Sequence, residues 1–250
     1  MDRFAGRVAL VTGVSSGIGA VVAELLVRAG VAVVGVARRE QRLQELAAKL
    51  AGEKGKLHPL PADLSRPEEV RRVYQWVEDN LGGVAIVVNN AAVLSLVPLQ
   101  DTDAAAVQQL VNTNLTSVML SCREALQSMK KHGTKDGHII NVNSIAGHRA
   151  INITPYSVTA YGATKHGITA LSQGLRYDAQ MMEGFKIRVT SISPGSVSTE
   201  MTPPQTLEYM KDPDDILKAT DVAEAILYVL SCPPAVEISE LTIHATRERV

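Results

Sequence analysis

The sequence is poor in the residues from which disulfide frameworks, metal centres and membrane spans are built. Its two cysteines, Cys122 and Cys232, stand far apart and form no ligand pattern, so we predict free thiols, a cytoplasmic protein and no metal site. No apolar run approaches the roughly 20 residues of a membrane span. We expect no signal peptide, because the first residues lead directly into an apolar strand. With a formal net charge of −1, nothing favours nucleic acid as a partner.

The chain consists instead of short apolar strands that alternate with helical patterns. The runs at 8–11 and 31–36 are almost wholly apolar, as expected for strands buried on both faces, and helical spacing follows each. Further strands are predicted at 57–62, 84–88, 138–142, 186–192 and 238–243. Because the chain has no repeat or linker, we predict one α/β domain, residues 1–250. Its expected architecture is a three-layer, doubly wound Rossmann fold with a seven-stranded parallel sheet.

A glycine-rich turn follows the first strand. The segment from Thr12 to Gly19 has the spacing Gly-x-x-x-Gly-x-Gly and leads into a helical pattern. Glycines let the backbone approach a pyrophosphate, and a helix N-terminus supplies N–H donors and a positive dipole end. We therefore predict a cofactor-binding turn, although a glycine-rich loop without chemical importance would have the same composition. The cofactor-binding residues expected here are Gly13, Ser15, Ser16, Gly17, Ile18 and Gly19.

Arg38 and Arg39 follow the second predicted strand. In a dinucleotide fold, this position meets the adenosine ribose, and an acidic residue there favours NAD by bonding the 2′-hydroxyl. Two arginines can instead bind a 2′-phosphate through charge-assisted hydrogen bonds. We predict NADP(H) as the cofactor. The alternative is that both arginines simply begin the next helix on a solvated face.

Other candidate residues stand where predicted strands end. Asp63 and Leu64 follow the third strand, where a side chain could contact the adenine edge. Asn90 and Ala91 follow the fourth, and small residues there permit close approach of a cofactor ring. Ser144 follows the fifth strand and so faces the ligand crevice of an open α/β sheet.

Tyr161 and Lys165 stand four residues apart on one helix face. A neighbouring ammonium favours the phenolate, so this pair could pass a proton to or from a substrate oxygen near neutral pH. The same spacing also arises by chance on solvated helices.

Asn114 is a polar residue within the long helical pattern 103–131. If buried it must find partners, either as a structural residue or by bending the helix to hold a water.

These motifs together resemble the short-chain dehydrogenase/reductase family, in its single-domain branch of about this length. The resemblance covers nearly the whole sequence. It rests on Thr12-Gly13-x-x-x-Gly17-Ile18-Gly19, Asp63-Leu64, Asn89-Asn90-Ala91-Ala92, Asn114, Ser144, Tyr161-x-x-x-Lys165 and Pro194-Gly195-x-Val197-x-Thr199. A few further segments are similar to the subgroup that holds insect farnesol dehydrogenases and an animal reductase, family member eleven, which acts on steroids.

The resemblance implies roles for the catalytic residues. Tyr161 would be the general acid in carbonyl reduction and the general base in alcohol oxidation, and Ser144 would polarise the substrate oxygen. Lys165 would bond the nicotinamide ribose and depress the pKa of Tyr161. Asn114 would hold a water that links Lys165 to solvent. The family pattern also implies cofactor contacts from Pro194, Gly195, Val197 and Thr199.

Two departures from the family pattern fall near the substrate side. Ala92 stands where the family commonly has glycine, and the separation of Ser144 from Tyr161 is longer by a few residues around 151–156. The segment 197–218 contains three prolines and is expected to form a lid. Candidate substrate-binding residues are Val93, Leu94, Ile153, Tyr156 and Met201.

Three functions are weighed. The first is an NADP(H)-dependent oxidoreductase for an apolar alcohol or carbonyl, such as farnesol or a steroid. The second is a dehydrogenase of a small polar hydroxy acid, which needs a cation in the pocket; Arg149 is the nearest candidate in sequence. The third is a non-catalytic binding protein on the same fold.

A homodimer or homotetramer is expected, because helices near 103–131 and 158–181 carry apolar residues on more than one face. Among these are Met119, Leu120, Ala163, Leu171 and Leu175.

Overall fold

Seven parallel strands form the central sheet. The computed structural model describes residues 2–152, 156–204, 210 and 212–248. The strands of this sheet are β1 Val8–Thr12, β2 Ala32–Ala37, β3 Lys56–Pro61, β4 Ile86–Asn89, β5 His138–Val142, β6 Arg188–Pro194 and β9 Glu240–Ile243. Two short strands, β7 Val197–Ser198 and β8 Leu217–Lys218, pair separately. The large sheet has the order β3-β2-β1-β4-β5-β6-β9, and every neighbouring pair is parallel. This confirms the predicted seven-stranded parallel sheet.

Helices cover both faces of the sheet. Their bounds are α1 Gly17–Arg28, α2 Glu40–Lys49, α3 Pro67–Leu81, α4 Ala104–Val111, α5 Ser117–Lys131, α6 Thr159–Gln180 and α7 Ala219–Ser231. Successive residues of β1 point to opposite faces, so Val11 joins the core beneath α1 and α7, whereas Leu10 joins the core beneath α3, α5 and α6. Burial on both faces explains why the strands are almost continuously apolar. Within the described residues, no helix is long and apolar enough to cross a membrane.

The strand order reverses at β1, which pairs with β2 on one side and with β4 on the other. Connections therefore leave β1 and β4 in opposite directions, and a crevice opens at the carboxyl ends of these strands. The glycine turn, Asn90 and Ala91 all follow strands at this edge. The fold thus brings residues that are up to about eighty positions apart into one region.

Three local features go beyond the sequence-based expectations or depart from them. The helical pattern 103–131 is interrupted by a π-helical segment, Asn112–Thr116, in which the Ser117 N–H bonds the Asn112 carbonyl. Helix α3 is capped at Arg66, with Pro67 in its first turn. Strand β6 begins at Arg188, two residues later than predicted, because its pairing with β5 starts opposite His138.

The expected lid segment is tied at both ends. β7 and β8 pair in parallel, with Val197 opposite Leu217 and Ser198 opposite Lys218. The Leu217 N–H also bonds the Ser196 carbonyl at 3.0 Å. Residues 205–209 and 211 of this segment lie outside the described residues, as does the candidate substrate residue Ile153.

Candidate active site

The glycine turn is built around the side chain of Asn90. Its amide nitrogen donates to the Thr12 carbonyl at 2.8 Å, and a Cβ added to Gly19 or Gly13 would lie 2.5 or 2.7 Å from that nitrogen. No side chain fits at either glycine. Gly13 has φ +75° and Gly17 has φ +58°, which only glycine adopts without strain. The glycines therefore serve two purposes: they shape the turn, and they make room for Asn90.

The start of helix α1 fits a phosphate group. Its N-cap residue, Ser16, makes no side-chain hydrogen bond to the first turn. Instead its hydroxyl accepts a hydrogen bond from Arg39. The N–H groups of the first turn are thus left without a capping side chain, as an anion-binding helix start requires. The Gly-rich turn, the uncapped helix start and a nearby arginine are the donor set that a dinucleotide needs.

The two arginines after β2 act on different groups. Arg39 donates to the Ser15 hydroxyl from Nε at 3.0 Å and from Nη2 at 2.8 Å, and to the Ser16 hydroxyl at 2.8 Å. Arg38 acts on Asp63 instead. Burial alone would raise the pKa of Asp63, but hydrogen bonds from Ser65 and the charge of Arg38 lower it overall. Ser65 is bonded to Asp63 rather than capping α3, so it holds this carboxylate in place.

The candidate catalytic residues come together at the carboxyl end of β5. Ser144 caps a single 3₁₀ turn and accepts a hydrogen bond from the Ala146 N–H at 3.1 Å. Tyr161 and Lys165 stand on the first turns of α6, and the Lys165 Nζ lies 5.6 Å from the centre of the Tyr161 ring. Lys165 is buried, and its ammonium donates to the Val142 carbonyl at 2.8 Å. The predicted spacing thus places a phenol, a hydroxyl and an ammonium in one cluster.

The pKa directions in this cluster differ from the expectation that Lys165 depresses the pKa of Tyr161. Burial of the hydroxyl raises the pKa of Tyr161 to about 12, and a hydrogen bond with Ser144 opposes the rise. Burial lowers the pKa of Lys165 to about 8. Desolvation is the largest cause of both shifts, and the Lys165 ammonium lies over the Tyr161 ring face and bonds a backbone carbonyl. The site therefore contains a protonated phenol beside a lysine that titrates near neutral pH.

Asn114 lies in the π-helical segment and is buried. Its amide forms a pair of hydrogen bonds with the backbone of Val93, accepting from the N–H and donating to the carbonyl, both at 2.8 Å. A third contact, at 3.3 Å, reaches the Thr164 hydroxyl. The side chain thus fixes the loop after β4 to α6, one residue before Lys165. The helix is distorted at Asn114, as the sequence analysis allowed, and π segments are frequent at functional sites.

The segment after β6 is held by the end of the chain. The Glu248 carboxylate accepts a hydrogen bond from the Ser196 N–H at 2.5 Å, and a Cβ added to Gly195 would lie 2.0 Å from it. Thr199 packs against the glycine turn, since a Cβ at Gly17 would lie 3.2 Å from its methyl group. The Val197 carbonyl accepts a hydrogen bond from Thr202. Sequence reasoning missed Glu248, which no motif marks.

The described candidate substrate residues differ in their exposure. Val93 and Leu94 are half-buried, whereas Tyr156 and Met201 are 40% and 42% exposed. A hydrogen bond of 3.0 Å from the Ser157 N–H to the Leu96 carbonyl joins the loop after β4 to the loop before α6.

Among the residues that the structure describes, no group of three His, Cys, Asp or Glu side chains could hold a metal ion.

The doubly wound sheet, the glycine turn and the Ser144, Tyr161 and Lys165 cluster define an oxidoreductase of the Rossmann type. A family model described as short chain dehydrogenase matches residues 7–209. The chain belongs to the short-chain dehydrogenase/reductase family.

Three relatives show how close this kinship is. The chain is 41% identical over 251 residues to a farnesol dehydrogenase of Aedes aegypti, with all of both chains covered. It is 41% identical over 261 residues to dehydrogenase/reductase SDR family member 11 of Homo sapiens, covering 99% of this chain and 97% of that one. A solved short chain dehydrogenase from Burkholderia cenocepacia in complex with NADP is 27% identical, with a TM-score of 0.85 and coverage of 97% and 98%.

Proposed function

We propose that this protein is an NADP(H)-dependent oxidoreductase that interconverts an apolar alcohol, such as an isoprenoid alcohol or a steroid, with its carbonyl. The observation that carries the proposal is the meeting of Ser144, Tyr161 and Lys165 at the carboxyl edge of the sheet. A binding protein on this fold has no need of a hydroxyl, a phenol and a buried ammonium in contact, so this cluster argues against the non-catalytic alternative.

The bound nicotinamide supplies the hydride chemistry, and the protein supplies position and one proton. In reduction, Tyr161 donates its phenolic proton to the developing alkoxide while Ser144 hydrogen-bonds the same oxygen. Lys165 stabilises the phenolate that Tyr161 leaves behind, since its ammonium stands over the ring. In oxidation, the phenolate takes the proton instead. Asn114 holds the loop after β4 against α6, and this contact fixes the position of Lys165.

The choice of NADP(H) over NAD(H) rests on Arg39. Its guanidinium is held by two serine hydroxyls of the glycine turn, next to the uncapped start of α1. A guanidinium in this place meets the ribose end of a dinucleotide, and β2 offers no acidic residue to bond a 2′-hydroxyl. The Burkholderia cenocepacia relative is described in complex with NADP, which supports the same choice.

The apolar substrate class rests on the relatives and on the rim of the site. The Aedes aegypti relative is named for farnesol. Apolar side chains are exposed on three segments of the chain expected on the substrate side, at Val97, Tyr156 and Met201. Exposed apolar residues on these segments, together with the polar cluster, suit an apolar molecule that carries one oxygen.

A screen of NADPH and NADH oxidation and NADP reduction against farnesol-type alcohols, steroids and small hydroxy acids tests this function. We expect turnover with an apolar member and a preference for the phosphorylated cofactor.

Arg39→Gln should weaken NADPH binding by about 10- to 100-fold and leave NADH binding nearly unchanged, because a charge-assisted bond contributes about 1.5–3 kcal/mol. Arg28→Gln, which also removes an ion-paired arginine, is the matched control. A preference for NADH would contradict the cofactor assignment, and turnover of hydroxy acids alone would favour the second function.

We also propose that the protein assembles as a homodimer or homotetramer through α5 and α6. Met119 on α5 is 50% exposed, and Tyr177 and Met181 at the end of α6 are 68% and 73% exposed. Leu175 was expected on this surface, but it packs into the core of its own chain. Light scattering should give a mass of two or four chains at micromolar concentration, and a monomer would contradict the proposal.

A further inference from the structure

An ion-pair cluster joins the two ends of the cofactor site. The Glu200 carboxylate accepts a hydrogen bond from Arg39 Nη1 at 2.7 Å with one oxygen and a shorter one from Arg42 Nη1 with the other. Arg39 belongs to the ribose end of the site, whereas Glu200 directly follows Thr199 in the segment after β6. The two residues are 161 positions apart in the chain. We call Arg39, Arg42 and Glu200 the latch.

The latch has the geometry of an arginine pair on a phosphate. Two oxygens of one anion are shared between two guanidinium groups, which is how arginines bind carboxylates and phosphates alike. Hydrogen bonds from Arg39 and Arg42 lower the pKa of Glu200 to about 2, so the carboxylate stays ionised at all physiological pH values. The three side chains are between 43% and 50% exposed, so an anion from solvent can reach them.

Arg42 has open space beside it. With Ser15 it borders an open groove of about 470 Å³ between α1 and α2. Arg39 also donates to the Ser15 hydroxyl from Nε and Nη2 and to the Ser16 hydroxyl from Nη2, so Ser15 lies both on the Arg39 guanidinium and at the rim of this groove. An anion in this region would bond the same nitrogen atoms that Glu200 now uses. A carboxylate and a phosphate cannot both occupy them.

We propose that the Glu200 carboxylate holds the place of the cofactor's 2′-phosphate on Arg39 and Arg42, and that it leaves both arginines when a 2′-phosphate binds. Arg42 is then a second phosphate ligand. Because Glu200 is joined to Thr199, recognition of the phosphate also frees residues 199–204 from Arg39 and Arg42. A cofactor without the phosphate cannot displace the carboxylate, so the segment stays tied. This inference rests on the proposed use of NADP(H).

Binding of cofactor fragments tests the latch without any turnover. Adenosine 2′,5′-bisphosphate carries the 2′-phosphate, and adenosine 5′-monophosphate is the same molecule without it. By calorimetry, Glu200→Gln should tighten binding of the bisphosphate about three- to fivefold, as removal of a competing exposed ion pair allows, and leave the monophosphate unchanged. Arg42→Gln should weaken the bisphosphate alone. Glu53→Gln is the matched control, because Glu53 also pairs with an arginine but lies away from the site.

Hydrogen exchange provides a second readout. In the wild type, the bisphosphate should speed amide exchange in residues 199–204 relative to the monophosphate, and in Glu200→Gln the two ligands should give equal rates. The proposal fails if Glu200→Gln binds the bisphosphate no more tightly than the wild type does, or if both ligands gain equally. It also fails if the two ligands give equal exchange rates in the wild type. If the wild type binds both fragments equally, the NADP(H) assignment fails as well, whereas the catalytic role of Tyr161 is tested separately by turnover.

Discussion

Tyr161→Phe should lower kcat by about 10²- to 10⁴-fold, which is the range that a positioned general acid or base contributes. The change removes one hydroxyl and keeps the ring over which the Lys165 ammonium lies. Binding of NADPH should therefore change little. Because the proposed mechanism has Tyr161 transfer the proton in both directions, reduction and oxidation should fall together.

The matched control is Tyr177→Phe, on the same helix with a side chain 68% exposed. Steady-state kinetics of both variants, on a substrate found in the screen, make the comparison. Undiminished turnover in Tyr161→Phe would overturn the catalytic assignment.

The wild-type pH profile adds a second check on Tyr161. Because burial raises its pKa to about 12, the phenol is protonated at neutral pH. Alcohol oxidation, which needs the phenolate, should accelerate as the pH rises, whereas carbonyl reduction should not. A rate of oxidation that falls from pH 7 to pH 9 would contradict this assignment.

Lys165→Met should nearly abolish turnover and leave the protein at least as stable as the wild type at pH 7. Methionine fills a similar volume without a charge, and replacing a buried charge by an apolar group is often neutral or stabilising. Burial lowers the pKa of Lys165 from its ordinary value of 10.5 to about 8, so the folded protein is destabilised by keeping this amine charged. A residue retained at the expense of stability is one that function requires.

The sign of the pH dependence follows from the same shift. Between pH 8 and pH 10.5 the unfolded chain binds the Lys165 proton and the folded chain does not, so wild-type stability rises with pH in this window. Relative to Lys165→Met, the gain should approach about 3 kcal/mol, since each pKa unit is worth 1.36 kcal/mol. Tyr161, whose pKa is raised, acts in the opposite direction only above pH 10.

Urea denaturation of both proteins at several pH values measures this difference. Lys130→Met, which removes an exposed lysine on α5, is the control and should show no such dependence. A stability difference between the wild type and Lys165→Met that stays constant from pH 7 to pH 10 would contradict the buried charge.

The sheet could be predicted because its signals are local. Apolar runs buried on both faces and the glycine turn need only a few neighbouring residues to be recognised, and parallel strands joined by helices leave few possible topologies. The positions of Ser144 and Tyr161 followed from the same logic, since both stand beside predicted strand or helix ends. Strand bounds were less certain, because the start of β6 depends on where β5 pairs with it.

Contacts between distant residues could not be predicted. Nothing near Arg39 in the sequence shows that it meets Glu200, or that the charge of Arg38 lowers the pKa of Asp63. Asn114 shows a similar limit: its polarity within an apolar pattern indicated a special position, but its two bonds to Val93 depend on how the loop after β4 folds back. The sequence likewise does not show how strongly burial desolvates Tyr161, so the net rise of its pKa was not predicted.

The pairing of β7 with β8 has a consequence for how this protein can diversify. Because Val197 lies opposite Leu217, the two ends of the loop between them are held next to each other. Lengthening a loop whose ends are already fixed costs only about 0.6 kcal/mol for each doubling of its length. Residues can therefore be gained, lost or exchanged in this loop while the sheet and the proton-transferring residues stay where they are. Under the proposed function, substrate range is then the property most easily altered in this fold, and the chemical step the least.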